Sequence, residues 1–141
     1  MPTVRPRFHL AIPVDDLAAA RRFYGGVLGC PEGRSSEHWV DFDLHGHQLV
    51  AHLSAGSGDR ASTPVDGDDV PVPHFGLLLS PPEWGRLAER LRAAGTDFVI
   101  EPHTRFEGEP GEQSTMFLRD PAGNALEFKA FATDDAIFAR Y

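Results

Sequence analysis

The stretch FHLAIPVDDLAAARRFYGGVLG, Phe8 to Gly29, carries two periodicities in succession. Phe8, Leu10, Ile12 and Val14 alternate with His9, Ala11 and Pro13, the period-two signature of a half-buried strand, so His9 is turned away from the greasy face. Asp15 or Asp16 then caps a helix. Its Leu17, Ala20, Tyr24, Val27 and Leu28 recur at three- and four-residue intervals until Gly29 stops it.

The same order is written again further on. Pro73, Phe75, Leu77 and Leu79 make one face of a strand and His74, Gly76 and Leu78 the other, which puts His74 in the place of His9. Ser80, Pro81 and Glu83 form a capping box with proline in the first turn, Trp84, Leu87, Ala88 and Leu91 supply the apolar stripe, and Gly95 closes it. From the histidine to the closing glycine is 20 residues in the first copy and 21 in the second.

Strand-like segments follow each helix: His38 to Leu44 and His47 to Leu53 in the first copy, Phe98 to Ile100, Thr115 to Leu118 and Ala125 to Phe131 in the second. Cys30 to Ser36 and the residues around Glu101 are weaker strand candidates. The pattern predicts an α+β fold of two βαβββ modules forming a curved mixed sheet around a cavity. Module one takes residues 5–54, a connecting loop 55–70, module two 71–132 and a tail 133–141, all in one domain. The small, polar run Ser54 to Asp69 reads as that connecting loop. Glu107 to Ser114 (EGEPGEQS), acidic and glycine-rich, reads as a mobile lid.

Composition narrows the function. Thirteen basic residues against 21 acidic ones give a net charge of -8, with no Lys/Arg cluster longer than two, so neither nucleic acid nor an anionic membrane is the expected partner. No apolar run approaches the roughly 18 residues needed to cross a bilayer and the first residues lack the long apolar stretch of a secretion signal, so a cytoplasmic location is expected. Cys30 is the single cysteine, which excludes an internal disulfide and a cysteine-built metal site. A metal here would be held by nitrogen and oxygen.

Residues opposite the helix-packing side are those that a ligand in the cavity would meet. His9 and His74 are two of them. In the last strand Leu126, Phe128 and Ala130 form the helix-facing set, which turns Ala125, Glu127, Lys129 and Phe131 toward the cavity. Any one of these ligand candidates alone would read as an ordinary hydrogen-bonded or exposed side chain. The recurrence of histidine at one point of both copies favours a metal, and two imidazoles with one carboxylate suit Fe(II), Mn(II), Ni(II) or a catalytic Zn(II).

The chain resembles the vicinal oxygen chelate superfamily, which includes glyoxalase I, extradiol dioxygenases, fosfomycin-resistance enzymes and bleomycin-resistance proteins. FHLAIPVDDLAAARRFYGGVLG, VPHFGLLL and FLRDPAGNALEF carry the resemblance. The wording from Cys30 to Leu53 and from Phe98 to Phe131 is similar to small predicted dioxygenases of the extradiol type. The resemblance implies that His9, His74 and Glu127 bind one divalent metal, with Fe(II) favoured. It also implies a homodimer acting on a small diol or catechol-like molecule. A metal-dependent lyase, isomerase or transferase of the same superfamily, or a non-catalytic ligand-sequestering resistance protein, is the alternative.

One departure bears on the chemistry. Aligning the turn glycines Gly46 and Gly123 pairs Val50 with Glu127, so the further carboxylate that glyoxalase I takes from module one is replaced by Val50. His52, on the same face as Val50, is the candidate acid–base group, and Gln48 is a candidate for orienting a substrate carbonyl. His47 faces the helix and reads as structural. His103, with Glu101, reads as a loop histidine that would at most gate or buttress the site. Tyr24, Trp84 and Cys30 read as packing residues.

Overall fold

The computed structural model describes residues 6–54, 61–65 and 68–140, with backbone alone over 61–65 and 68–69. They form two compact units. Of the described residues, the first holds those up to Ser54 together with the turn Pro121–Asn124, and the second holds those from Ala61 to Asp120 and from Ala125 to Arg140.

In the first unit β1 (His9–Val14) leads into a helix, followed by β2 (Glu32–Ser35), β3 (Trp39–Leu44) and β4 (His47–Leu53). The sheet order is β1-β4-β3-β2. β1 runs parallel to β4, whereas β3 and β2 are antiparallel to their neighbours. The buried residues Ile12, Val14, Val40, Phe42, Leu44, Leu49 and Ala51 are the alternating apolar set of these strands.

The helix is not the single α-helix that the spacing predicts. Asp16 caps it by accepting from the Ala19 N–H at 3.1 Å, yet only α1 (Leu17–Ala20) is α-helical, and Arg21–Val27 continues as a π-helix. The Leu28 N–H accordingly bonds to the Phe23 carbonyl, five residues back. Gly25 and Gly26 put no side chain into the widened turn. Tyr24 is fully buried against Phe42, ring centroids 5.4 Å apart. Gly29, at φ 74°, ends the run in the left-handed region.

The second unit repeats the plan. β7 (His74–Leu79), α2 (Pro81–Ala93), β8 (Phe98–Arg105), β9 (Gln113–Arg119) and β10 (Ala125–Phe131) give the order β7-β10-β9-β8, with β7 parallel to β10. Ser80 caps α2 as expected, accepting from the Glu83 N–H and donating to the Glu83 carboxylate at 2.8 Å. Trp84 of α2 donates its indole N–H to the Phe128 carbonyl at 2.9 Å, which ties the helix to β10. Each βαβββ module therefore makes its own four-stranded mixed sheet.

Three further expectations need correction. The connecting segment is not all loop, because β5 (Ala61–Val65) and β6 (Asp68–Val72) pair as an antiparallel two-stranded sheet; residues 55–60 and 66–67 lie outside the described residues. Phe98–Ile100 and the stretch around Glu101 are one strand, β8. The segment read as a lid is shorter than Glu107–Ser114, since Gln113 and Ser114 belong to β9. What remains is a run of tight turns, in which Glu109 N–H bonds to the Phe106 carbonyl and Gly108 N–H to the Glu112 carboxylate.

Candidate metal centre

In the second unit His74 and Glu127 meet on the face away from α2. The register sets Glu127 of β10 opposite Gly76 of β7, two residues past His74. His74 Nε2 lies 3.3 Å from Glu127 Oε1. The other atom of each group is already engaged. His74 Nδ1 is 2.6 Å from the Pro71 carbonyl, which can only accept, so Nδ1 carries the hydrogen. Glu127 Oε2 accepts from the hydroxyl of buried Thr115 at 2.5 Å. The ring of Phe117 packs nearly perpendicular to the imidazole, ring centroids 4.9 Å apart.

This arrangement fits a metal on its own chemistry. With Nδ1–H spent on a carbonyl, Nε2 of the neutral imidazole would present a lone pair to a carboxylate oxygen. Two acceptors facing each other are stabilised by a cation between them. The pair borders a hollow of about 220 Å³ that Phe75, Leu78 and Lys129 also line. Gly76 keeps the two strands close, because a Cβ there would lie 1.6 Å from the Glu127 carbonyl oxygen.

The first unit places His9 by other means. Its Nδ1 is 2.7 Å from Gln48 Oε1, and Gln48 Nε2 donates to Asp41 Oδ2 at 3.3 Å. His9 and Gln48 are register partners on β1 and β4, and Asp41 lies two residues along β3 from Asp43, the partner of Gln48. Val50 pairs with Ala11, two residues past His9, as Glu127 pairs with Gly76, so Val50 does stand where the second module has its carboxylate. It is 6% exposed.

His52 shares this face but lies four residues beyond Gln48, about 13 Å along the strand. It is therefore not beside His9. His47 is structural as read: its Nδ1 accepts from the Phe8 N–H at 3.0 Å. His103 bonds through Nδ1 to the Glu101 carbonyl of its own strand, 2.8 Å away. Cys30 is buried.

His9 belongs to the first unit, and His74 and Glu127 to the second. Among the described residues, no group of three or more His, Cys, Asp or Glu side chains is gathered to hold a metal. Asp41, Thr115, Phe117 and the Pro71 carbonyl were not singled out by sequence. Alternation along WVDFDL puts Asp41 on the open face, but its partner depends on cross-strand register.

Residues 8–128 match the family model of the glyoxalase/bleomycin resistance protein/dioxygenase superfamily. The chain belongs to this superfamily. It is similar in structure to a glyoxalase/bleomycin resistance protein/dioxygenase from Alicyclobacillus acidocaldarius, with 34% identity over 98% of this chain and 100% of that one and a TM-score of 0.80. The fold is shared with the fosfomycin resistance protein FosX of Listeria monocytogenes (17% identity, 95% and 98% covered, TM-score 0.72). It is shared also with lactoylglutathione lyase of Agrobacterium tumefaciens (23% identity, 93% and 97% covered, TM-score 0.65). No curated protein matches by sequence. Among the described residues, no helix is long and apolar enough to cross a membrane.

Proposed function

We propose that the superfamily member described here is a metal-dependent enzyme, an extradiol-type dioxygenase of a small diol or catechol-like substrate. Its one divalent ion, Fe(II) by preference, is held by His9, His74 and Glu127 in a homodimer. The observation that carries this reading is the His74–Glu127 pair, whose outer atoms are fixed by Pro71 and Thr115 and whose inner atoms face each other at 3.3 Å. Three protein ligands leave about three of six octahedral positions, and Val50 supplies no fourth ligand to fill one.

Bound iron would supply adjacent sites for the two diol oxygens and a path for electrons to dioxygen. The chain's own residues do the rest. His9 and His74 would hold the ion through ring nitrogen and Glu127 through its carboxylate, whose Oε2 accepts from the Thr115 hydroxyl. Gly76 and Leu78 leave the rim of the hollow open to an apolar ring. His52 would take a substrate proton only from a molecule extended along the first-unit sheet, given its place four residues along β4 from the partner of His9.

The test is oxygen uptake by Fe(II)-loaded protein offered a panel of catechols and vicinal diols. Uptake in step with substrate loss, absent with Zn(II), is expected. His52→Ala is expected to lower turnover and leave metal affinity unchanged. Turnover of a non-diol without oxygen, using a redox-inert metal, would replace this reading with a lyase or transferase.

A further inference from the structure

The two histidines are held by unlike devices. His74 leans on a backbone carbonyl, which offers only an acceptor and so permits one tautomer. His9 leans on a side-chain amide, and an amide can turn either end toward it. What decides the matter is the third residue. Asp41 Oδ2 is an acceptor only, so the atom of Gln48 that meets it must be Nε2, and Oε1 is left to face His9. An oxygen facing Nδ1 at 2.7 Å requires Nδ1–H. In the neutral ring the bare nitrogen is then Nε2.

We propose that Asp41 and Gln48 form a positioning relay that locks the exposed His9 imidazole in its Nδ1–H form and presents Nε2 to the metal. The relay rests on the metal reading above and adds a role that the ligand set does not contain. Asp43, the neighbouring acid on the same strand face, is turned to the β3–β4 turn instead, where its Oδ1 accepts from the Gly46 N–H at 2.6 Å. The second module has no counterpart: Ala125 stands where Gln48 does, opposite the histidine, and Phe117 where Asp41 does. One N–H of Gln48 remains after Asp41 is satisfied, so the amide also keeps a donor for a substrate oxygen.

The experiment reads the His9 ring nitrogens by long-range proton–nitrogen NMR in metal-free protein at about pH 8, above the ordinary imidazole range. It then measures Ni(II) or Mn(II) affinity by competition. The parent protein is expected to show a protonated Nδ1 and a bare Nε2 on His9. Gln48→Leu should shift His9 toward the Nε2–H form and weaken metal binding roughly 10- to 100-fold. Asp41→Asn, which frees the amide to turn over, should give a mixed population and a smaller loss. His47, outside the relay, should keep its signals in both variants.

An Nε2–H form of His9 in the parent, or an unchanged tautomer in Gln48→Leu, would overturn the relay. So would an unmoved metal affinity in Gln48→Leu when His9→Ala abolishes binding. If His9→Ala itself leaves metal affinity intact, the ligand assignment fails instead.

Discussion

At the residue scale, each proposed metal ligand is defined by what holds its other atom. Glu127 is the clearest instance, since a carboxylate beside a histidine could grip an ion with both oxygens. Thr115, 3% exposed, donates its hydroxyl to Oε2 and so engages that oxygen. A hydrogen bond to a charged acceptor contributes about 1.5–3 kcal/mol. Thr115→Val is accordingly expected to weaken metal binding about 10-fold or more, whereas Thr115→Ser, which keeps the donor, should stay near the parent value. Competition titration checks both. Equal affinity in Thr115→Val would show that Glu127 needs no such partner.

The histidines and Glu127 were legible in the sequence because alternation alone fixes the face on which they lie. Thr115, Asp41 and Pro71 were not, because their roles come from partners 12, 7 and 3 residues distant that only strand pairing or a turn brings near. Val50 lies between these cases. Aligning two turn glycines paired it with Glu127, and the strand register agrees.

At the element scale, β4 and β10 begin and end where periodicity put them, at His47–Leu53 and Ala125–Phe131. Both are inner strands whose one face is buried, so their pattern is strong. The pair β5–β6 escaped notice because ASTPV and DDVPV carry prolines and small polar residues, which read as loop. The π-helical run also escaped, since apolar spacings of three and four residues do not separate it from an α-helix.

Two glycines make a test of the element packing. Gly76→Ala must push β7 from β10, because its Cβ would strike the Glu127 backbone rather than a movable side chain. A loss of about 3 kcal/mol or more is expected. Gly85, inside α2, has nothing within 4 Å of the point where an added Cβ would sit, so Gly85→Ala should stabilise by about 0.5–1 kcal/mol. Urea unfolding of the two variants measures both shifts. Similar stability in both would mean that β7 and β10 are not so closely apposed.

At the scale of the whole molecule, one topology is used twice with different chemistry. Each module opens with a histidine on the open face of the first strand, but only the second supplies a carboxylate on its last strand. The first module spends that position on buried Val50 and uses Asp41 and Gln48 to hold its histidine. Family membership fixes the frame and not the reaction, since one fold hosts many activities. The proposed reaction therefore requires the three-ligand metal centre of His9, His74 and Glu127.

The most direct test is the metal content of anaerobically purified protein, measured alongside His9→Ala, His74→Ala and Glu127→Ala. One divalent ion per chain is expected in the parent, and each variant should lose it while keeping its fold by circular dichroism, because these side chains lie on sheet faces away from the helices. A metal-free parent that takes up no Fe(II), Mn(II), Ni(II) or Zn(II) would contradict the account, as would full occupancy in any of the three variants.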